Sequence, residues 1–172
     1  MAASGIRRCR TGDAAALALV SAATFLETYA WMIAGKDLLA HVGEKFGEAA
    51  YEAHLADPAC ALWLAEGERG APVGYALLTP PDLPIETGAT DIELRRIYML
   101  TRYQGGGMGN ALFAAAVAEA RVRGMTRLLI GVAKTNTSAI GFYRRHGCAA
   151  IGERIFRVGD EDFEDAIFAR AL

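Results

Sequence analysis

At 172 residues, with 53% hydrophobic and 22% charged side chains, the chain has the balance of one compact globular domain rather than of a disordered segment. Its 18 basic and 20 acidic residues nearly cancel and no run of Lys or Arg is long enough to act as a tail, so nothing points to a nucleic-acid surface. No uninterrupted apolar stretch is long enough for a bilayer and the amino end, Met1 to Arg8, lacks an apolar core of signal-peptide length, so no membrane partner and a cytoplasmic location are expected.

In chain order, Ile6 to Arg10 reads as a short first strand, and Thr11 offers a hydroxyl N-cap for a helix from about Asp13 to Thr28. Lys36 to Ala56 keeps helical apolar spacing and is read as one helix ended by Pro58. Ala59 to Ala65 and Val73 to Thr79, around Gly67 to Gly70, give a hairpin. Pro80 to Gly88 carries three prolines and is expected to be a solvated connection, with room to overhang a site. Ile92 to Leu100 is a strand, Met108 to Arg123 a helix stopped at Gly124, and Leu128 to Val132 a buried strand. Asn136 caps a helix ending at Gly147, and Ala149 to Val158 and Phe163 to Ala169 close the chain as strands. The order is β α α β β β α β α β β, an α/β chain with a mixed, mostly antiparallel sheet of six to seven strands and about four helices.

Cys9, Cys60 and Cys148 are odd in number and widely spaced, which fits packed thiols rather than a disulfide framework or a zinc site. His41, His54 and His146 lack metal-site spacing, and no metal is expected; they read as surface or helix-end residues.

The most informative segment is Gln104-Gly105-Gly106-Gly107-Met108-Gly109, between a strand and a helix. Glycines let consecutive N–H groups turn toward one point, and the following helix adds its unpaired N–H groups and positive dipole end, so the segment suits an anionic diphosphate. A nucleotide P-loop is excluded because no Lys-Ser or Lys-Thr pair follows Gly107. A dinucleotide fingerprint is excluded because Asn110 stands where its third glycine belongs.

With Glu93 to Met99, Asn136, Ser138-Ala139 and Gly141 to Gly147 in the same order and spacing, the chain resembles the GNAT family of N-acetyltransferases. The resemblance implies the GNAT fold, with the fourth and fifth strands splayed, and acetyl-CoA as co-substrate. It implies pyrophosphate on Gln104, Gly105, Gly106, Gly107, Met108, Gly109 and Asn110, and a pantetheine arm paired like an added strand with the backbone of Ile97, Tyr98 and Met99. Asn136 is expected to contact CoA as well as cap its helix, and the two helices after the first strand are expected to flank the acceptor entrance. Dimers are common in the family, though no exposed stripe in this sequence marks an interface.

An alkyl amine with a pKa of about 10.4 carries its free lone pair in only about one molecule in two thousand at neutral pH, so freeing it costs roughly 4 to 5 kcal/mol. Glu93 is the leading candidate base, an outward-facing exposed carboxylate being the alternative that strand alternation offers. Tyr143 is expected beside the CoA sulfur, donating a hydrogen bond as the thiolate leaves; packing with Phe142 is the alternative. A backbone N–H near Met99 or Leu100, at a strand bulge, is expected to meet the oxyanion.

Within the family, Gly131 stands where ribosomal-protein acetyltransferases usually carry a glutamate, which weakens a protein N-terminus reading; a protein N-terminal or lysine acetyltransferase is the alternative within the family. Segments such as Ala23 to Tyr29 and Leu94 to Met99 look like the bacterial spermidine/spermine branch, from which Arg95 and Cys148 depart. A polyamine would call for an acidic pocket, which Glu27, Glu86, Asp91, Glu93 and the stretch Asp160 to Asp165 are able to supply. A non-catalytic CoA-binding sensor is the reading of a different class.

Overall fold

The structure is a computed structural model and describes residues 5–172, so Met1 to Ser4 of the amino end lie outside the described residues. Seven strands form one mixed sheet in the order β1-β2-β3-β4-β5-β7-β6. They are β1 Gly5–Arg8, β2 Ala61–Glu66, β3 Pro72–Thr79, β4 Asp91–Met99, β5 Arg127–Ala133, β6 Ala149–Val158 and β7 Glu161–Ala171. All neighbours are antiparallel except β4 and β5, which run parallel. The α/β expectation holds.

Among the described residues there are five α-helices, one more than the sequence pattern suggests: α1 Ala14–Tyr29, α2 Gly35–Lys45, α3 Glu48–Ala56, α4 Met108–Val122 and α5 Thr137–Arg145. The run read as one helix over Lys36 to Ala56 is broken at Phe46 and Gly47. Gly47 is extended (φ −69°, ψ 160°), and Phe46 turns into the core with the Arg96 guanidinium 4.3 Å from its ring centroid. Burying that ring outweighs continuing a helix through two weak positions, Gly43 and Gly47. The expected Thr11 cap is also corrected, since α1 begins after Asp13 and no side chain caps it. The Asp13 carboxylate instead accepts from Arg7 (2.8 and 2.9 Å) and from the Arg10 N–H (2.8 Å), a charge-assisted set that a hydroxyl cannot match. The Arg7 guanidinium holds that carboxyl below the usual range.

The sheet is covered on both faces. On one side α4 presents Leu112, Phe113, Ala116, Val117 and Ala120, a helical stripe that buries against Ala76, Leu78, Leu94 and Leu128. On the other, Leu17, Val20 and Phe25 of α1 pack with Tyr51, Leu62, Leu64, Tyr75 and Leu77. With both faces covered, β3 reads as a near-continuous apolar run rather than an alternating one. Each fully buried large side chain contributes about 1.5–3 kcal/mol, so these two layers hold the sheet rigid.

Two irregularities set the site. The pairing of β4 with β5 lasts only from Asp91, Ile92 and Glu93 to Arg127, Leu128 and Leu129, while β5 stays paired with β7 through Ala133. Beyond Glu93 the two strands diverge, as expected for the central pair. The register of β3 against β4 also shifts between Leu77 and Leu78, leaving Arg95 as an extra residue. The bulge lies there and not at Met99 or Leu100. It changes the phase of the strand, so that Glu93, Arg96 and Tyr98 all face the α1 side.

Candidate active site

One continuous cavity of about 780 Å³ runs through the gap between β4 and β5, from the glycine turn to the helices of the opposite face. Its first half is built mainly from backbone. Thr101–Tyr103 form a short 3-10 turn, and Gly105 (φ 80°) and Gly107 (φ 89°) take left-handed conformations that lead into α4. Ala111 N–H to Gly107 O is the first helical hydrogen bond, so the N–H groups of Met108, Gly109 and Asn110 have no partner within the helix. A Cβ placed on Gly105 or Gly107 would meet nothing within 4 Å, so the turn is an open cradle. Gly105, Gly107, Gly109 and Asn110 line the cavity, whereas Gly106 completes the turn and Met108 packs on the α4 core. The Asn110 side chain is engaged with His146 Nε2 (3.0 Å), which leaves its main chain to face the cradle.

At the gap, Leu100 N–H donates to Val73 O at 2.9 Å. Given the register, the main-chain groups of Arg96, Tyr98 and Leu100 therefore point into β3, and those of Ile97 and Met99 point toward the gap. Leu100 is thereby removed as an oxyanion donor, and Tyr98 contributes its side chain rather than a free backbone edge. The Met99 carbonyl accepts from Gln104 Nε2 (3.1 Å), so Gln104 lies along the same edge. The Met99 thioether crosses Gly74, where no Cβ would fit. Facing this edge, Asn136 caps α5 by accepting from Ala139 N–H (3.1 Å). Ser138, Phe142 and Arg145 follow on the cavity side of that helix, spaced by three or four residues. Tyr143 is buried in the same wall, and its hydroxyl has no hydrogen-bond partner among the described residues. Burial pushes its phenol pKa well up, which keeps it a proton holder at any physiological pH.

The second half is built from side chains. Phe25, His41, Phe46 and Phe156 form an aromatic wall in which His41 stacks on Phe25 (5.0 Å) and meets Phe46 and Phe156 edge-on. His41 is thus part of the cavity and not a surface residue, and burial, then the nearby Arg96, hold its pKa below the ordinary range. Tyr29 and Tyr98 hydroxyls meet at 3.3 Å. Glu93 lines this half at 3% exposure, its Oε2 accepting from Asp82 N–H (2.7 Å) and Arg95 Nη2 (3.4 Å). The Pro80 to Gly88 loop is therefore pinned to the site, with Leu83 buried against Leu129 and Ile167, rather than loosely solvated. Asp165 is buried beside Arg154 Nε (3.0 Å), and burial raises its carboxyl pKa against that ion pair. Arg154 lies over Gly131, where a Cβ would come within 2.8 Å of its Nη2.

Of the acidic residues named from sequence, Glu27, Glu93 and Asp165 line the cavity, and Glu86, Asp91, Asp160, Glu161, Asp162 and Glu164 do not. Glu27 faces the backbone-built half, accepting from Thr101 N–H (2.9 Å). Asp91 is bound by Arg127 Nε (2.9 Å). Arg95, Arg96, Arg154 and Lys45 also line the acceptor side, so it is not an acidic pocket. The aromatic wall, Arg96, Arg145 and Arg154 were not singled out from sequence. The helical spacing from Asn136 to Arg145 held a usable signal, but the others come from distant segments. Among the described residues, no group of three or more His, Cys, Asp or Glu side chains is placed to hold a metal, all three cysteines are free, and no helix is long and apolar enough to cross a membrane.

Residues 26–148 match the sequence family described as "Acetyltransferase (GNAT) family". An uncharacterized N-acetyltransferase of Mycobacterium tuberculosis is 32% identical over 160 residues, covering 93% of this chain and 98% of that one. The fold is similar to that of PaiA N-acetyltransferase from Thermoplasma acidophilum, solved in complex with coenzyme A, with a TM-score of 0.76 at 18% identity and 99% coverage of both chains. A probable acetyltransferase from Staphylococcus epidermidis superposes with a TM-score of 0.78 at 13% identity, over 98% of this chain and 99% of that one. With an open glycine cradle leading to a splayed parallel pair, and with this match over most of its length, the chain belongs to the GNAT family and is an acetyl-CoA-dependent N-acetyltransferase.

Proposed function

We propose that the enzyme transfers acetyl from acetyl-CoA to the primary amine of a small molecule, by direct attack within a ternary complex. The observation that carries this is the continuous cavity of about 780 Å³, open at the glycine cradle and reaching the aromatic wall on the other side of the splayed strands. Two substrates entering from opposite faces meet at the gap, and bringing reacting groups together there removes much of the entropic cost of the step.

Main-chain N–H groups of Gly105 through Asn110 bind the pyrophosphate, and the free main-chain groups of Ile97 and the carbonyl of Met99 pair with the pantetheine amides. Asn136 keeps its carboxamide NH₂ for the same arm, since only its oxygen is used in the cap. The amine lone pair attacks the thioester carbonyl and the C–S bond breaks. The Met99 N–H, directed into the gap, is the remaining donor for the carbonyl oxygen once Leu100 is committed to β3. Tyr143, with its hydroxyl unspent, donates to the departing sulfur. Glu93, brought to the acceptor side by the Arg95 bulge, takes up the amine proton directly or through water.

A polyamine acceptor draws less support than a smaller amine, because the carboxylates in the acceptor half are matched by arginines. A protein N-terminus draws less still, since Arg154 fills the space over Gly131. Thiol release from acetyl-CoA across amino acids, spermidine, spermine, aminoglycosides and peptide amines is the test. Release that depends on a small amine sustains the proposal. Tight CoA binding with no turnover on any amine would point to a sensor, and turnover on peptides alone would point to a protein acceptor.

A further inference from the structure

The charged groups of the acceptor half can be paired off, and one cation is left over. Glu93 is held by Arg95 and the Asp82 N–H, and Asp165 by Arg154. Lys45 reaches Glu44 (2.7 Å) at the rim. Arg96 pairs with no carboxylate among the described residues. Its Nη1 donates to the Tyr51 hydroxyl (3.2 Å) and the Lys45 carbonyl (3.4 Å), while Nε and Nη2 have no partner among the described residues. The guanidinium sits 4.3 Å from the Phe46 ring centroid, itself part of the buried core, so its orientation is fixed. A guanidinium with Nε and Nη2 uncommitted presents an edge that a planar carboxylate matches with two parallel hydrogen bonds.

We propose that Arg96 binds a carboxylate on the acceptor, so that the substrate class is amines carrying a carboxylate and an apolar or aromatic body, amino acids and their close relatives, rather than polycations. This deepens the small-amine reading above and rests on it. Glu93 and Arg96 lie on the same face of β4, on either side of the bulge at Arg95, so the two ends of such an acceptor meet opposite charges along one strand. Phe25, His41, Phe46 and Phe156 give the aromatic wall against which the body packs.

The experiment compares acceptors that differ only in the carboxylate: phenylalanine against phenethylamine, and leucine against isoamylamine, with phosphoethanolamine and spermidine alongside, all by initial rates of thiol release. The carboxylate-bearing member of each pair is expected to win in kcat/KM by roughly ten- to a hundredfold, chiefly through KM. Arg96→Gln should bring that ratio close to one, and Arg96→Lys should keep part of it, since a lysine supplies the charge without the fork. A wild-type ratio at or below one, a ratio unchanged in Arg96→Gln, or a clear preference for phosphoethanolamine or spermidine overturns the assignment. If no amine is turned over, the small-amine reading fails by itself. Calorimetric binding of phenylalanine and phenethylamine to the CoA-loaded protein and its Arg96→Gln variant then decides the carboxylate site, with equal affinities refuting it.

Discussion

The two halves of the cavity are made of different material. The cradle half is assembled from main-chain groups of one segment, Met99 to Asn110, together with the cap of α5. The acceptor half is assembled from side chains of α1, α2, β4, β6 and β7, segments far apart in sequence. A backbone-built site binds a constant ligand and tolerates change in every side chain except its glycines. A side-chain-built site changes its ligand with every substitution. One fold thereby keeps its acetyl donor fixed while its acceptor is free to differ.

The contrast is broken most sharply in the cradle. Gly107→Glu places a carboxylate where the diphosphate binds, and acetyl-CoA affinity in calorimetry should fall by at least about a hundredfold, because like charges in contact cost several kcal/mol. Gly107→Ala separates the two causes. With φ at 89° it should lower the melting temperature while leaving binding weakened but measurable. Next comes Tyr143→Phe, which keeps the ring packed and removes only the hydroxyl. Turnover is expected to drop roughly a hundredfold with acetyl-CoA affinity retained, the usual scale for one lost transition-state donor. An unaltered kcat would remove Tyr143 from the mechanism. Glu93→Gln should cost about tenfold at pH 7 and progressively less toward pH 10, where the amine loses its proton unaided. A deficit independent of pH would reduce Glu93 to a fastener for the Asp82 loop.

The same division explains what could be read in advance. The glycines, Asn136 and the Tyr143 helix are local signals, because turn geometry and capping depend on a few consecutive residues. The order of elements along the chain followed from the alternation of strand and helix patterns, whereas the splay was implied only by the family resemblance. Phe46 and Gly47 went unread because the apolar spacing runs straight through them, and only packing against Arg96 shows why the helix stops. The bulge at Arg95 left no mark in the letters, yet it decides that Glu93 faces the acceptor. Arg154 against Gly131 depends on β6 and β7 folding back beside β5, a long-range pairing that no local pattern encodes.

The smallest effect is expected at the closed end of the splay, where both halves are anchored. Asp91 and Arg127 stand opposite each other in the last paired stretch of β4 and β5, and the Asp91 carboxylate also accepts from Gly88 N–H (2.8 Å). The hydrogen bond from Arg127 holds the Asp91 pKa below the usual carboxylate range. A carboxyl with a lowered folded-state pKa contributes stability that is present above the unfolded value near 4 and lost as pH falls through the folded one. Asp91→Asn should therefore lower the melting temperature by roughly 2–4 °C at pH 7, the scale of one modest interaction in a chain of this size. The difference should shrink steadily below about pH 4. Because the clasp lies outside the cavity lining, acetyl-CoA affinity at pH 7 should stay within about twofold, as expected for a site away from direct contact. A larger loss of affinity would mean that the angle between β4 and β5 is held by this ion pair rather than by the two packed faces of the sheet.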